Sequence, residues 1–192
     1  MYDAIVLAGG AARRLQGADK PQLDVGGVRL LDHVLAAVAD AGRRIVVGPR
    51  RAVPVPVLWR REDPPGGGPV AAIAAALDAV RAELVAVLAA DLPEIAPAVP
   101  ELLAALRDEA DADVACLAGS GDRLNYLAAV WRTAALRRLV SGFADPHGVP
   151  VRALIAGASV VEVADEDGWG RDCDTWEELS DARRRWRSRE TR

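Results

Sequence analysis

The order of strand-like and helix-like segments along the first two thirds of the chain limits its fold most strongly. The run 84–90 contains only aliphatic residues, as expected for a central parallel strand that is covered on both faces. Apolar residues at helical spacing over 30–41, and Pro69 at the first turn of a helix predicted over 69–81, place helices between strands. This alternation favours a three-layer α/β/α architecture with a mostly parallel central sheet and right-handed crossovers.

The remaining segments continue the alternation less regularly toward the C-terminus. Gly42 is placed to end the helix over 30–41, and the pattern from Thr175 to Glu178 is a capping box that starts the last helix. Further strands are predicted at 4–8, 44–47, 55–59, 113–117, 126–131 and 159–163, and further helices at 97–109, 133–140 and 150–156.

Length and composition limit the class of protein. With 192 residues, of which 51% are hydrophobic, we expect a single domain over residues 1–192. The net charge of −4 argues against a general nucleic-acid binder, and no apolar stretch is long enough to span a membrane. Cys116 and Cys173 lack metal-ligand spacing, which fits a reducing cytoplasmic location, and the N-terminus is predicted to be a strand rather than a signal peptide. The arginine-rich segment at about 180–192 is interpreted as a solvated helical tail.

A glycine-rich, basic segment follows the first predicted strand. Gly9 and Gly10 let the backbone turn sharply and bring its N–H groups close to a ligand. The segment is not a P-loop, because Lys20 is preceded by Asp19 and followed by Pro21, and it lacks the dinucleotide-binding Gly-x-Gly-x-x-Gly pattern. The segment therefore favours a different cradle for a nucleoside triphosphate, with positive charge from Arg13, Arg14 and Lys20.

Asp91 comes directly after the apolar run 84–90 and is followed by Leu92 and Pro93. Ligands of open parallel sheets bind at the carboxyl ends of the strands, where this carboxylate is expected to lie. A hard oxygen ligand at that edge suits Mg²⁺, which bridges carboxylates to substrate phosphates. The alternative is that Asp91 only caps the turn that follows it.

Three glycines, ending at Gly68, precede the helix predicted over 69–81, and Glu62 and Asp63 lie just upstream. Free N–H groups and the positive end of a helix dipole are suited to an anionic ligand. The alternative is a proline- and glycine-rich connection without a binding role.

Two aspartates, Asp172 and Asp174, lie just before the last helix. Alternation along a strand would point both to one side, where one or both could face Asp91. The alternative is that Asp174 or Thr175 serves as a helix N-cap, and capping can coexist with metal binding. Asn125 and Arg132 are polar residues of the stretch 125–132, which can be simply a strand.

From about Tyr2 to Leu179 the chain resembles the nucleotidyltransferases, and most closely the molybdenum cofactor guanylyltransferases. Arg14 and Lys20 fall on the pattern Leu-Ala-Gly-Gly-x-x-x-Arg-Met-Gly-x-Asp-Lys, with Leu15 in place of the Met. Residues 68–72 are similar to that family's Gly-Pro-Leu-Ala-Gly segment. Residues 172–179 are similar to Asn-x-Asn-Thr-Pro-Glu-Glu-Leu, with aspartates replacing both asparagines and a tryptophan replacing the proline.

The resemblance implies a Rossmann-like nucleotidyltransferase fold and the transfer of GMP from GTP to the terminal phosphate of molybdopterin. It assigns Mg²⁺ to Asp91, with Asp174 as a second ligand as in many related enzymes, and catalytic roles to Arg14, Lys20 and Asp91. The resemblance also implies that an acidic residue, either Glu62 or Asp63, contacts the base, and that Asn125 and Arg132 are candidates for contact with the acceptor substrate. The implied nucleotide-binding set is Leu7, Ala8, Gly9, Gly10, Lys20, Asp63, Gly68 and Asp91.

Other functions remain open at this stage. The chain could transfer a cytidylyl group to the same pterin, or act on a sugar or polyol phosphate. A non-catalytic nucleotide-binding regulator is a further alternative, because Asp172 and Asp174 depart from the family pattern. The partners implied are GTP, molybdopterin and proteins of molybdoenzyme maturation, and neither nucleic acid nor a membrane is expected.

Overall fold

A seven-stranded mixed sheet forms the centre of the protein in this computed structural model, which describes residues 1–10, 13–15, 17–119 and 123–190. The strands are β1 (Tyr2–Leu7), β2 (Asp24–Val25), β3 (Val28–Arg29), β4 (Arg44–Val47), β5 (Leu58–Arg60), β6 (Leu84–Ala89), β7 (Val114–Ala118), β8 (Leu124–Arg132) and β9 (Val160–Val163). The helices are α1 (Leu30–Ala37), α2 (Gly68–Leu77), α3 (Ala98–Asp108), α4 (Thr133–Ser141), α5 (Arg152–Ile155) and α6 (Trp176–Glu190), with short 3₁₀ turns at Arg13–Leu15 and Lys20–Gln22.

The strand order of the central sheet is β5-β4-β1-β6-β8-β7-β9, and β2 and β3 form a separate hairpin. The prediction of a mostly parallel sheet is confirmed: β1 pairs in parallel with β4 and β6, β4 with β5, and β7 with β9. The strand β8 is antiparallel to both of its neighbours. Only residues 119–123 separate β7 from β8, which is too short for the crossover that a parallel pair needs.

Helices cover both faces of the sheet, which confirms the three-layer architecture. Successive side chains of β1 point to opposite faces. Val6 belongs to the core that includes α1 and α3, whereas Ile5 belongs to the core that includes α2 and α4. Within the described residues, no helix is both long and apolar enough to cross a membrane.

Two helices end earlier than their apolar patterns predict. After α1 the chain turns so that the N–H of Gly42 donates to the carbonyl of Tyr2 at 2.8 Å. After α2 the buried carboxylate of Asp3 accepts hydrogen bonds from the backbone N–H groups of Arg81 (2.6 Å) and Ala82 (3.0 Å). These long-range contacts with β1 hold the chain in a turn where local periodicity favours a helix.

The arginine-rich end of the chain is not a solvated tail, and that interpretation is wrong for the described residues up to 190. Leu179 and Ala182 of α6 are buried against the β2–β3 hairpin, and the Trp186 ring lies edge-on to His33 with ring centroids 4.5 Å apart. Arg185 and Arg189 each donate to Glu94 at 3.0 Å, and the Glu94 side chain is 0% exposed. A buried carboxylate needs such partners, so these arginines fix α6 to the loop after β6. Residues 191 and 192 lie outside the described part.

The docking of α6 predicts different consequences for its two tryptophans. Trp186→Ala should lower the free energy of unfolding by about 2 kcal/mol, because a half-buried ring leaves a cavity next to His33. Trp176→Ala is the matched control and should change it by less than about 0.5 kcal/mol, because Trp176 is 45% exposed. Urea denaturation followed by circular dichroism measures both. Equal, small losses in the two variants would contradict the docking.

Candidate active site

The candidate site lies where β1 and β6 end side by side. In this parallel pair Leu7 is opposite Ala89, and the N–H of Ala90 donates to the carbonyl of Leu7 at 3.0 Å. The glycine pair after β1 and Asp91 after β6 therefore leave the same edge of the sheet. This is the edge at which open α/β sheets bind their ligands.

A cleft of about 580 Å³ opens at this edge. Gly10 has a φ of +124° and Gly68, the first residue of α2, has a φ of +86°, so both positions favour glycine. A Cβ atom at Gly9 or Gly10 would meet no atom of the described residues within 4 Å, so these residues leave the backbone there accessible to a ligand. The residues predicted from sequence that line the cleft are Leu7, Gly9, Gly10, Arg14, Lys20, Gly68, Asp91 and Asp174.

Two of the predicted nucleotide-binding residues do not line the cleft. Ala8 is buried in the sheet, where its N–H donates to the carbonyl of Val47 at 2.8 Å. Asp63 is exposed, whereas Glu62 lines the cleft and accepts a hydrogen bond from the N–H of Gly66 at 3.0 Å. The geometry therefore brings Glu62, the alternative left open by the sequence, into the cleft.

Lys20 lies at the centre of the charged groups. Its ammonium group forms ion pairs with Asp91 and Asp174, and its side chain is only 15% exposed. Burial alone would lower the pKa of Lys20, but the two carboxylates outweigh that effect and raise it above its usual value. Arg14 lies farther out and places its Nη1 3.5 Å from Oδ2 of Asp174. The side chain of Arg13, the third basic residue of the motif, lies outside the described part of the structure.

Three carboxylates meet beside Lys20. Asp91, Asp172 and Asp174 each place one oxygen within 4.8 Å of the others. The Oδ1 atom of Asp91 is buried and has no hydrogen-bond partner among the residues that the structure describes. An unpartnered carboxylate oxygen beside two further carboxylates is a donor set that fits a hard divalent cation such as Mg²⁺.

The segment that carries Asp172 and Asp174 is irregular, so the prediction that strand alternation points both to one side is wrong. Both carboxylates nevertheless lie near Asp91, as predicted. Cys173 between them is fully buried beside Leu179, and burial raises the pKa of its thiol to about 12. With Cys173 anchored inward, both neighbouring carboxylates are left at the cleft. Asn125 supports the segment by donating from Nδ2 to the carbonyl of Gly170 at 2.8 Å.

The N-cap of α6 is Thr175 and not Asp174. The hydroxyl of Thr175 accepts from the N–H of Glu178 at 3.2 Å, and Glu178 accepts from the N–H of Thr175 at 2.7 Å. This reciprocal pair is the predicted capping box. Asp174 therefore does not cap the helix, and its carboxylate can bind Lys20 or a metal ion.

A second cleft of about 900 Å³ adjoins the first and shares Ala89, Asp91, Leu127 and Asp174 with it. Asn125 lines this second cleft, together with residues that sequence reasoning missed: Arg123, Arg171 and Arg185. Arg132, in contrast, donates to the carbonyls of Leu106 (2.9 Å) and Ala112 (2.8 Å) at the end of α3, so its role is structural. No local motif in the sequence marks these three arginines as residues of a cleft.

The comparisons with known proteins agree with this geometry. A model of the MobA-like NTP transferase domain matches residues 4–163. The chain belongs to this family. It is 35% identical over 174 residues to a molybdenum cofactor guanylyltransferase of Acidiphilium cryptum, with 85% of this chain and 84% of that protein covered. It is 34% identical over 148 residues to a molybdenum cofactor guanylyltransferase of Rhodobacter capsulatus, with 73% of each covered.

Solved structures show the same MobA-like fold. Molybdopterin-guanine dinucleotide biosynthesis protein A from Archaeoglobus fulgidus is 20% identical and superposes with a TM-score of 0.69, covering 98% of this chain and 100% of that one. A 2-C-methyl-D-erythritol 4-phosphate cytidylyltransferase from Thermus thermophilus is 22% identical, with a TM-score of 0.71 and coverage of 97% and 100%. The predicted Rossmann-like nucleotidyltransferase fold is therefore confirmed.

The crowding of carboxylates predicts a pH-dependent gain in stability on neutralising Asp172. Desolvation by neighbouring protein atoms and the charges of Asp91 and Asp174 raise the pKa of Asp172, although the residue is exposed. Its ionisation therefore opposes folding as the pH rises through that pKa. In the metal-free protein Asp172→Asn should therefore raise Tm by on the order of 2 °C near neutral pH. Below the unfolded-state pKa of about 3.9 the gain should vanish, because the carboxyl group of Asp172 is then protonated in both the folded and the unfolded protein.

Differential scanning calorimetry in the presence of a chelator measures this difference. Asp167→Asn is the matched control, since Asp167 is exposed on the same loop and has no hydrogen bond or ion pair with the described residues. A gain that is equal in the control, or that persists in acid, would contradict the predicted repulsion.

Proposed function

We propose that this protein transfers GMP from GTP to the terminal phosphate of molybdopterin, releasing pyrophosphate, within a single domain. The observation that carries the proposal is the pair of clefts that share Asp91 and Asp174, with Lys20 between the two carboxylates. A nucleotide in the first cleft and a phosphate-bearing acceptor in the second would meet at these charges. Relatives named molybdenum cofactor guanylyltransferase support the identity of the two substrates.

The first cleft binds the nucleotide through backbone and basic groups. Leu7, Gly9 and Gly10 line this cleft, and the N-terminus of α2 lines the same space at Gly68 and Pro69. The N-terminus of a helix carries a partial positive charge that favours phosphate. Lys20 and Arg14 add full positive charges to this wall of the cleft.

The transfer itself needs positioning and charge neutralisation rather than proton removal. A terminal phosphate on the acceptor is already ionised at neutral pH, so it attacks the α-phosphate without a general base. Lys20 and Arg14 stabilise the negative charge that grows on the transferred and leaving phosphates. In the second cleft, Arg123 and Arg171 supply positive charge for an anionic acceptor.

We assign the metal ion to Asp91 and Asp174, with Asp172 as a third possible ligand. Support comes from the unpartnered Oδ1 of Asp91 and the close approach of the three carboxylates. A bound Mg²⁺ would neutralise phosphate charge at the point of transfer. Without the metal, the ammonium group of Lys20 supplies the positive charge that these carboxylates require.

We assign recognition of the base to Glu62 in preference to Asp63. A carboxylate that lines the cleft can accept two hydrogen bonds from the N1–H and the amino group of guanine. The corresponding edge of cytosine carries one donor group and two acceptors, so the carboxylate favours GTP over CTP. Cytidylyl transfer to the same pterin remains the second candidate.

The proposal also covers the partner proteins and the cellular location of the reaction. Molybdoenzyme-maturation proteins are the natural recipients of a dinucleotide product. We place the reaction in the cytoplasm, because Cys116 and Cys173 are both free thiols that suit a reducing environment.

The proposal is tested by incubating the protein with Mg²⁺, molybdopterin and each nucleoside triphosphate in turn, and identifying products by mass spectrometry. GTP should yield the guanine dinucleotide and an equal amount of pyrophosphate. A faster reaction with CTP would support the cytidylyltransferase, and a product only with a sugar or polyol phosphate would change the acceptor class. Nucleotide binding without any product would indicate a regulator.

Removal of the metal ligands should separate catalysis from folding. Asp91→Asn should lower kcat by at least about 100-fold, because several kcal/mol of charge stabilisation depend on the metal. Asp174→Asn should raise the Mg²⁺ concentration needed for half-maximal rate and leave Tm nearly unchanged, because Thr175 caps α6. Steady-state kinetics over a Mg²⁺ titration, with Asp167→Asn as control, measure both effects. Full activity of Asp91→Asn at saturating Mg²⁺ would remove Asp91 from the site.

Base recognition is tested by a pair of neighbouring substitutions. Glu62→Gln should raise KM for GTP by about tenfold or more, because an amide cannot accept both hydrogen bonds from the guanine edge. Asp63→Asn should leave KM for GTP within about twofold, because Asp63 is exposed outside the cleft. A larger increase in KM for GTP in Asp63→Asn than in Glu62→Gln would assign recognition of the base to Asp63.

A further inference from the structure

Arg51 is a nearly buried arginine in the connection that follows β4, at the same sheet edge as the active site. Its side chain is 10% exposed. The guanidinium group binds the Asp19 carboxylate through two nitrogens, with Nε 2.9 Å from Oδ2 and Nη2 2.6 Å from Oδ1. Its Nη1 donates to the carbonyls of Ala8 (2.9 Å) and Pro49 (3.1 Å). One side chain therefore joins the end of β1, the connection after β4 and the residue before Lys20.

These contacts give Arg51 a different role from the basic residues that line the cleft. Its nitrogens are directed at Asp19 and at backbone carbonyls, and the cleft is lined by Lys20 and Arg14 instead. The connection after β4 lies so close to β1 that a Cβ atom at Gly48 would lie 2.7 Å from the carbonyl oxygen of Ala8. Arg51 is thus held between the backbone that follows β1, at Ala8, and the backbone that follows β4, at Pro49.

Asp19 transmits this constraint to Lys20 through a short turn. The carbonyl of Asp19 accepts from the N–H of Gln22 at 2.8 Å, which closes the 3₁₀ turn Lys20–Gln22. Pro21 is buried within that turn, and the Lys20 ammonium reaches the carboxylates from it. A long lysine side chain loses considerable rotational freedom when it is held at one point, so the position of its backbone matters.

We propose that Arg51 is a positioning residue for Lys20, acting through a two-point ion pair with Asp19. The inference rests on the proposed function, in which Lys20 stabilises charge on the transferred phosphates. Loss of the Arg51–Asp19 pair releases the residue that begins the Lys20–Gln22 turn and lets the ammonium group of Lys20 leave the carboxylates. A displacement of about 1 Å in such a group can cost roughly 100-fold in rate.

The sequence offers a direct probe of this position, because Lys20 is the only lysine in the chain. An amine-reactive reagent such as trinitrobenzenesulfonate can modify only Lys20 and the N-terminal amine, and peptide mass spectrometry separates the two products. The modification rate of Lys20 reports how firmly its ammonium is held, whether or not the protein has transferase activity.

The experiment compares Arg51→Ala and Arg51→Lys with Arg50→Ala. Arg50 is the matched control, because it is the adjacent exposed arginine and forms no ion pair or hydrogen bond within the described ranges. Arg51→Ala should raise the modification rate of Lys20 by about fivefold or more and lower kcat by roughly 10- to 100-fold, with KM for GTP within about threefold. Arg51→Lys should restore neither kcat nor the wild-type modification rate of Lys20, because an ammonium lacks the planar fork that binds both oxygens. The lysine that this substitution adds lies outside the Lys20 peptide, or is assigned within it by fragmentation, so its modification is counted separately. Arg50→Ala should have the same Lys20 modification rate, kcat and KM for GTP as the wild-type protein.

Asp19→Asn keeps the proposal testable if Arg51→Ala folds poorly. It should reproduce the effects on Lys20 modification and kcat, and the double variant should be no worse than either single variant, because the two residues act as one unit. The proposal is overturned if Asp19→Asn or a well-folded Arg51→Ala behaves like Arg50→Ala. It is also overturned if Lys20 modification rises while kcat stays unchanged. Absence of GMP transfer by the wild-type protein would refute the proposed function separately.

Discussion

The parallel pairing of β1 with β6 is the constraint on which the rest of the site depends. It places the chain after Leu7 and the chain after Ala89 at one edge, so that the glycine pair and Asp91 emerge together. The backbone at this edge is tightly packed, since a Cβ atom at Gly48 would lie 2.7 Å from the carbonyl oxygen of Ala8 and 3.0 Å from the nitrogen of Gly9. In the proposed function, the nucleotide phosphates and the metal would therefore bind beside backbone that the central sheet holds in place.

The C-terminal segment completes the site from the opposite end of the chain. Burial of Cys173 and the capping box of Thr175 hold Asp172 and Asp174 at the cleft, while α6 docks on the β2–β3 hairpin. The pairs of Glu94 with Arg185 and Arg189 connect α6 to the loop that follows Asp91. Lys20 lies between carboxylates from both segments, and its charge offsets their mutual repulsion.

Local pattern was sufficient to predict the alternating elements, the central strand β6 and the grouping of Lys20 with Asp91. It was insufficient where a contact depends on residues far apart in the chain. An arginine-rich helix has the composition of a solvated tail, and the docking of α6 becomes visible only in its contacts with Glu94 and with the β2–β3 hairpin. The pair of Arg51 with Asp19 has no sequence signature for the same reason, and the choice between Glu62 and Asp63 depended on how the glycine-rich connection turns into the cleft.

The most direct test of the account is a crystal structure of the protein with Mn²⁺ and a non-hydrolysable GTP analogue. The account predicts an anomalous peak in contact with Asp91 and Asp174, phosphates over the glycine pair, and guanine within hydrogen-bond distance of Glu62. Lys20 should then contact a phosphate. A nucleotide bound elsewhere, or a metal ion held away from Asp91, would contradict the central claim that one shared set of carboxylates serves both clefts.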